Sequence, residues 1–557
     1  MNTILNQRHK PRSLVLVVLC AATLTISLAT TAINVALPSL SVELRADTRQ
    51  LQWIVDAYNL LFATFVLAFG SLSDRYGRKG ALIGGLAIFG GGAIGAMFAD
   101  SAGQLIFWQA VMGLGAAFVY PTTLSILSNV FTERADKAKA IGIWGATTGL
   151  GVACGPILGG WLLESFWWGS VFLALAIAAA VSVVAAASVV TTSSDPATPR
   201  IDYGGLVLSV LAVGTLVFTV IEAPDRGWAD AMTVTGFVLA IALFALLVFW
   251  ERARDEPMID VKLFTNMRFT AASASVTFAY FALFGFIFLI TQYFQLVRGY
   301  PPLETGLKFI PVAASIAVGS ILGTALAVRL GNKVVVTAGL SLFTIAFLWI
   351  ATVSQSTSYL EIALQMIPLG LGLGLTSAPA TEAIMGAVPR DKAGIGSAMN
   401  DATREVGGTL GVAVIGSVYA SLYSSGFADS GVAQSLPTDV KATVEESIGA
   451  AMVAADQIGA AGDGRTAQTL TDAADSAFLD GLAAGSYVAA GVTLLGAIVT
   501  AVFLPGHPKD TVPAEHSGAD VSTTLQPPRL TSRSAGRAAR VRRRVLGLRE
   551  SPRPGPR

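Results

Sequence analysis

The decapeptide Gly70-Ser71-Leu72-Ser73-Asp74-Arg75-Tyr76-Gly77-Arg78-Lys79 separates two long apolar runs. Gly70 and Gly77 permit a tight turn between antiparallel helices, because a residue without Cβ reaches backbone angles that others avoid. Asp74 stands shortly before the next helix, where negative charge is favoured by the helix dipole. Arg75, Arg78 and Lys79 are cations that resist transfer across a lipid bilayer. Taken alone, the stretch reads equally well as a loop that only fixes topology.

The surrounding chain explains why such a loop would matter. Of 557 residues, 53% are hydrophobic and 13% charged, and the mean hydropathy is +0.64. Soluble proteins carry roughly 25% charged residues, so a soluble enzyme is excluded. Only two cysteines occur, Cys20 and Cys154, both inside apolar runs, which excludes a secreted disulfide scaffold. A net charge of +1 gives no basic field for nucleic acid. A helix needs about 20 apolar residues to cross a bilayer. Fourteen such runs are predicted, near 14–38, 51–72, 80–99, 105–129, 140–163, 168–190, 203–222, 231–250, 269–295, 304–328, 334–353, 359–381, 397–421 and 482–504. The alternating ten-residue segments of a transmembrane barrel are missing. The first run follows Arg8, Lys10 and Arg12 and is too long for a cleaved signal peptide. The chain is thus predicted to be an all-α, multi-pass membrane protein.

Lys and Arg counts give an orientation. With the N-terminus inside and the runs alternating, inside segments hold nineteen cations, outside segments seven, and the tail after Leu504 a further eleven. Both termini are therefore expected in the cytoplasm: residues 1–13 as a short N-terminus and 505–557 as a disordered basic tail. Residues 251–268 read as a cytoplasmic link. Residues 422–480 read as an external loop, in which Val440, Val444, Ile448 and Met452 recur every fourth residue and predict a short surface helix.

Further motifs lie inside the runs. Gly151-Val152-Ala153-Cys154-Gly155-Pro156-Ile157-Leu158-Gly159-Gly160 places small residues where helices can approach closely, and Pro156 predicts a kink. Ordinary packing explains such spacing equally well. With the decapeptide, however, these residues resemble the G-x-L-x-D-R-x-G-R-K signature and the G-x-x-x-G-P-x-x-G-G antiporter motif of the major facilitator superfamily. Ala32-Ile33-Asn34-Val35-Ala36-Leu37-Pro38, Gln52–Tyr58, Thr305–Pro311 and Gly394–Gly416 resemble its fourteen-helix drug:proton antiporter branch (EmrB/QacA-type). The resemblance covers residues 14–504. It implies two six-helix bundles, 14–190 and 269–504, with two inserted helices at 203–250, and substrate bound between halves that rock. It implies a cytoplasmic gate built from Gly70, Asp74, Arg75, Gly77, Arg78 and Lys79, docking near the start of the thirteenth run. It further implies Gly151, Gly155, Pro156, Gly159 and Gly160 as the antiporter motif.

Two positions depart from the family. Ala29 stands where the first helix usually carries an acid, and Gln109 where the fourth usually carries an arginine. Losing both preserves neutrality, since one buried charge without its partner is costly. Any proton coupling must then use other groups. An ionisable residue inside the membrane is a functional candidate by default, because a carboxyl in a low-dielectric cavity can load and release a proton near neutral pH. Asp56 is the first choice and Glu222 the second, with an interfacial role for Glu222 equally open. Glu382 is expected in headgroup water. Asp401, Arg404 and Glu405 share a helix face and read as a structural ion-pair cluster. Polar or aromatic groups within helices, Thr30, Asn34, Asn59, Gln109, Trp144, Gln292, Tyr293 and Asn400, are the candidates for a substrate cavity.

Other classes fit poorly. There is no G-x-x-x-x-G-K-[ST] string for an ATP-driven pump. His9, His507 and His516 all lie outside the runs, so no metal or catalytic cluster is expected, and no cofactor beyond a proton gradient. The expected function is export of drugs, antibiotics or similar amphipathic compounds across a bacterial cytoplasmic membrane by proton antiport, carried out by a monomer. The alternative is a carrier without proton coupling, for an endogenous metabolite or lipid-like compound.

Overall fold

The computed structural model describes residues 12–194, 202–254, 257, 261–388 and 393–505. The segment before Arg12, the tail after Pro505 and parts of the 251–268 link lie outside them. The architecture is α-helical, with no strand among the described residues. The first six helices are α1 (Arg12–Glu43), α2 (Thr48–Tyr76), α3 (Arg78–Met97), α4 (Ala102–Val130), α5 (Arg134–Ser165) and α6 (Ser170–Val189). Next come α7 (Tyr203–Arg226) and α8 (Ala231–Arg252). The remainder comprises α9 (Met267–Gln292), α10 (Pro302–Lys308), α11 (Ile310–Leu330), α12 (Asn332–Ile350), α13 (Tyr359–Ala387), α14 (Ala393–Ala428), α15 (Thr438–Glu446), α16 (Ile448–Ala460) and α17 (Gly464–Phe503).

Short polar residues set many of the starts. Asp47 accepts from the Gln50 amide at 2.6 Å, and the Gln50 side chain accepts in return from the Asp47 amide, a capping box that opens α2. Ser101, Asp230, Asn266, Ser358 and Asp463 cap α4, α8, α9, α13 and α17 with the side chain accepting a first-turn amide. Thirteen helical stretches are long and apolar enough to cross a membrane. The fourteenth is α5, bent by 41° between Ile143–Val152 and Cys154–Ser165.

Helices α1–α6 pack as one half and α9–α14 with α17 as the other. The inserted pair is not a loose linker. Val213, Val217 and Ile221 of α7 pack on Leu60 of α2 and Ala413 of α14, covering that seam between the halves. α8 lies outside α7 and shows Val238, Ile241 and Phe249 to the surroundings, as a helix facing lipid does.

Three runs differ from their sequence reading. The tenth is split into α10 and α11 at Phe309. The ninth ends in a π-turn over Tyr293–Val297. The fourteenth is the last part of a 40-residue helix, α17, which begins well before the apolar stretch. The expected loop 422–480 is accordingly mostly helical. Its predicted surface helix exists as two pieces, because Ser447 adopts an extended backbone and caps α16 through the Gly449 amide. Val444 and Ile448 are buried on either side of that break.

Candidate functional site: a seam between two helical halves

The Gly77 turn closes on its own half. α2 runs through Asp74 to Tyr76 and α3 begins at Arg78, so Asp74 lies in the last turn of α2, four residues before the next helix. Gly77 has φ 128°, a conformation that L side chains avoid. The Asp74 carboxylate pairs with Arg78 at 2.7 Å and accepts from Ser125 of α4. The Arg78 amide donates to the Ser193 carbonyl at 3.0 Å, and Lys79 Nζ to the Ala187 carbonyl at 2.7 Å. Arg75 lies 5.8 Å from the Tyr76 ring centre. These contacts tie the turn to α4 and to the end of α6. The side chains at 389–395, at and before the start of α14 where the resemblance implied docking, lie outside those described.

The small residues of α5 face two different helices. A Cβ on Gly151, Gly155 or Gly159 would strike Ser27, Thr31 or Ala32 of α1. A Cβ on Gly160 would instead strike the carbonyl of Pro302 in α10, and one on Gly306 of α10 would strike the carbonyl of Pro156. The same motif thus packs α5 within its half and lets the two halves meet backbone to backbone. Pro156 has no amide to donate, which strands the Val152 carbonyl one turn back. Thr31 Oγ1 of α1 donates to that carbonyl at 3.0 Å. The bend is held by a hydroxyl from the neighbouring helix.

Hydrogen bonds between the halves cluster at the end away from Gly77. Gln52 Nε2 of α2 donates to the carbonyls of Val412 and Ala413 of α14, at 3.3 and 3.1 Å, filling the space that Gly416 leaves. Gln295 Nε2 donates to the Val35 carbonyl at 2.8 Å. Helical geometry puts Asp56 and Asn59 on the face of α2 that carries Gln52. Both Asp56 carboxylate oxygens and both Asn59 side-chain polar atoms are buried without a hydrogen-bond partner. Such orphans are rare, and an unpaired buried carboxylate is the most costly kind.

Toward the Gly77 end, a polar and aromatic wall faces α14. Trp144 Nε1 donates to Thr23 and Thr123 hydroxyls at 2.9 and 3.1 Å. Tyr58, Phe62, Tyr120 and Trp144 form a chain of ring contacts. Asp401 and Arg404 lie within electrostatic range of Tyr120, and Glu405 within range of Tyr58. No ion pair joins Arg404 to Asp401 or Glu405 among the described residues. Arg404 donates to Thr381 Oγ1 at 3.0 Å and lies 5.3 Å from the Tyr280 ring centre. Asn400 accepts from Thr381 as well. The charges that spacing put on one face thus interact at longer range rather than in direct contact, and the Arg404 guanidinium reaches α13 and α9. Tyr58, Tyr120 and Tyr280 were missed in the sequence, where a tyrosine inside an apolar run carries no signal of what it faces.

Several other candidates have structural partners. Gln109 donates to the Ile54 carbonyl at 3.1 Å and fastens α4 to α2. Asn34 and Gln292 bond back to their own helices. Tyr293 donates to the Ser354 carbonyl at 3.0 Å. Glu382 pairs with Arg268 at 3.2 Å, and its side chain stays 61% exposed. Glu222 is held by Arg49 at 3.3 Å and Arg226 at 3.2 Å, with Arg49 also 3.0 Å from Asp225. Two guanidinium partners give Glu222 a structural role at the helix end, the interfacial alternative that the sequence left open. Glu222→Gln is expected to leave pH-driven transport intact and to lower stability by about 1 kcal/mol or less, measured by transport assay and thermal unfolding.

Comparison with known proteins agrees with this architecture. The chain is 36% identical over 396 residues to the multidrug resistance protein Stp of Mycobacterium tuberculosis, covering 71% of this chain and 73% of that one. It is 33% identical over 487 residues to the multidrug efflux pump LfrA of Mycolicibacterium smegmatis, covering 87% and 95%. Among solved structures, a bacterial homologue of the human lysosomal transporter Spinster, inward-facing and unoccupied, superposes with a TM-score of 0.60 at 16% identity, over 89% of this chain and 98% of that one. The Major Facilitator Superfamily profile matches residues 19–412. With that match, two helical halves around a common seam and both signature motifs in place, this chain belongs to the Major Facilitator Superfamily.

Proposed function

We propose that this transporter exports drugs, antibiotics or similar amphipathic organic compounds from the cytoplasm, driven by proton entry. The observation that carries the reading is similarity over most of the chain to proteins named for multidrug resistance and efflux. The seam supports it. Aromatic walls with few fixed charges suit weakly polar organic molecules. The excess of cations around the Gly77 end supports a cytoplasmic position for that end, with both termini on the same side. Because the bonds between halves gather at the opposite end, the conformation reads as closed to the outside and open to the cytoplasm. Domains 14–190 and 269–504 then rock about the chamber, and 203–250 covers one of its sides.

Asp56 is the proton carrier in this scheme. Its carboxylate has neither hydrogen bond nor counter-ion, and it lies on the surface that must part when the halves rock. Ala29 and Gln109 occupy the usual acid and arginine positions, and this favours a second reading, a carrier without proton coupling. Everted vesicles energised by a pH gradient separate the two. Substrate added to them should dissipate the gradient under the first reading and leave it untouched under the second. A susceptibility panel in a bacterial host stripped of its own exporters should show raised tolerance to several amphipathic compounds. Unchanged tolerance across the panel would overturn the export reading.

A further inference from the structure

Residues 429–463 link α14 to α17 as a strap that carries α15 and α16. Both ends belong to the second half, and the strap is anchored there. Tyr423 of α14 donates to the Val444 carbonyl at 3.1 Å, and α16 lies along α17 with Ile448, Ala451 and Ala455 buried. At one point it crosses to the first half. Thr48 Oγ1, at the start of α2, donates to the Glu446 carbonyl at 2.8 Å. Three residues on, Gly449 lies so close to α1 that an added Cβ would stand 2.9 Å from the Ser41 Cβ. The extended residue Ser447 sits between these two contacts.

We propose that this strap is a latch on the exit side: it rides with the second half and must lift off the α1–α2 turn before the end away from Gly77 can open. This deepens the alternating-access reading and rests on it. The location fits, because the crossing lies at the end where Gln295 meets Val35. The chemistry fits a contact made to break. The described attachment is a hydrogen bond and the close approach of Gly449 to the Ser41 side chain, whereas the strap's hold on its own half includes a buried apolar face. The crossing is also electrostatically crowded. Burial, then Asp47 and Asp225, push the Glu446 carboxyl above its usual range, with Arg49 acting the other way. Seating an ionised Glu446 beside two further carboxylates leaves the latch only lightly held.

A disulfide tests this. In a chain carrying Cys20→Ala and Cys154→Ala, Ser41→Cys and Gly449→Cys place two Cβ atoms close enough that an outward shift of about 0.6–0.9 Å brings them to disulfide geometry. Mild oxidation should link them, and efflux of ethidium from loaded cells should fall at least tenfold and recover with dithiothreitol. Failure to link, or full linkage with undiminished efflux, overturns the proposal. Where the unlinked chain moves no ethidium, the export reading fails for that probe. The latch is then decided by spin labels at Arg45→Cys and Asp456→Cys, both exposed positions. Two distance populations, seated and lifted, are expected, and a single short distance under all conditions overturns it.

Discussion

Gly160→Leu should cut export about tenfold, and Gly160→Leu with Gly306→Leu about a hundredfold, while the protein remains folded. A Cβ at Gly160 would lie 2.8 Å from the Leu303 Cα, and one at Gly306 would lie 2.9 Å from the Ile157 Cα. These neighbours are backbone, which cannot rotate out of the way. Overpacking costs about 1–3 kcal/mol per site, and about 1.4 kcal/mol is a factor of ten in a population. The cost falls only on the conformation in which α5 and α10 touch. The substituted protein should therefore rest with that end parted. Gly155→Leu is the informative control. Its Cβ would press on Thr31 and Leu28 of the same half, in every conformation, so it should lower thermal stability instead. Efflux at equal surface expression, read beside unfolding temperature, separates the two effects. Wild-type export from Gly160→Leu would show that the α5–α10 contact is not part of the cycle.

Asp56→Asn should bring gradient-driven export to background while downhill exchange of substrate persists. Asparagine keeps the shape of the side chain and cannot carry the proton. No partner is stranded by the change, because neither oxygen of Asp56 has one. The substitution therefore reports on titration and not on packing. Transport into everted vesicles, with and without a pH gradient, measures it. Undiminished gradient-driven transport would exclude Asp56 and direct attention to Asp401 and Glu405, whose surroundings also hold an unpartnered atom, Glu405 Oε2.

Much of this fold is legible in the chain because a bilayer imposes a severe rule. Backbone groups must be satisfied within each crossing, so apolar length reveals helices almost directly. The fourteen runs follow from that rule, as do the Gly77 turn and the α5 bend at Pro156. What length cannot show is where a helix continues past the lipid. α17 begins at Gly464 because Asp463 caps it and because Leu470, Ala474 and Phe478 bury against neighbours, a pattern that hydropathy does not distinguish from a loop. The site was legible in kind more than in detail. Asp56 stands out as an acid in an apolar run, and its isolation agrees with that reading. Glu222 gave the same signal, yet its arginines come from positions 49 and 226, one of them far away in sequence. The direct contacts of Arg404 with Thr381 and Tyr280 were illegible for a related reason: spacing along one helix says which residues share a face, and nothing about the tyrosine or threonine that another helix presents to it.

At 1.5 Å per residue, the 40 residues of α17 measure about 60 Å, twice the thickness of a bilayer's oily interior. The surplus is too long to lie within that interior, and its Leu470, Ala474 and Phe478 are buried against neighbouring helices. A rotation of about 15° of the packed half about the middle of the lipid would carry the Gly464 end sideways by about 10 Å. A small tilt deep in the membrane would thus be magnified at the Gly464 end of the helix.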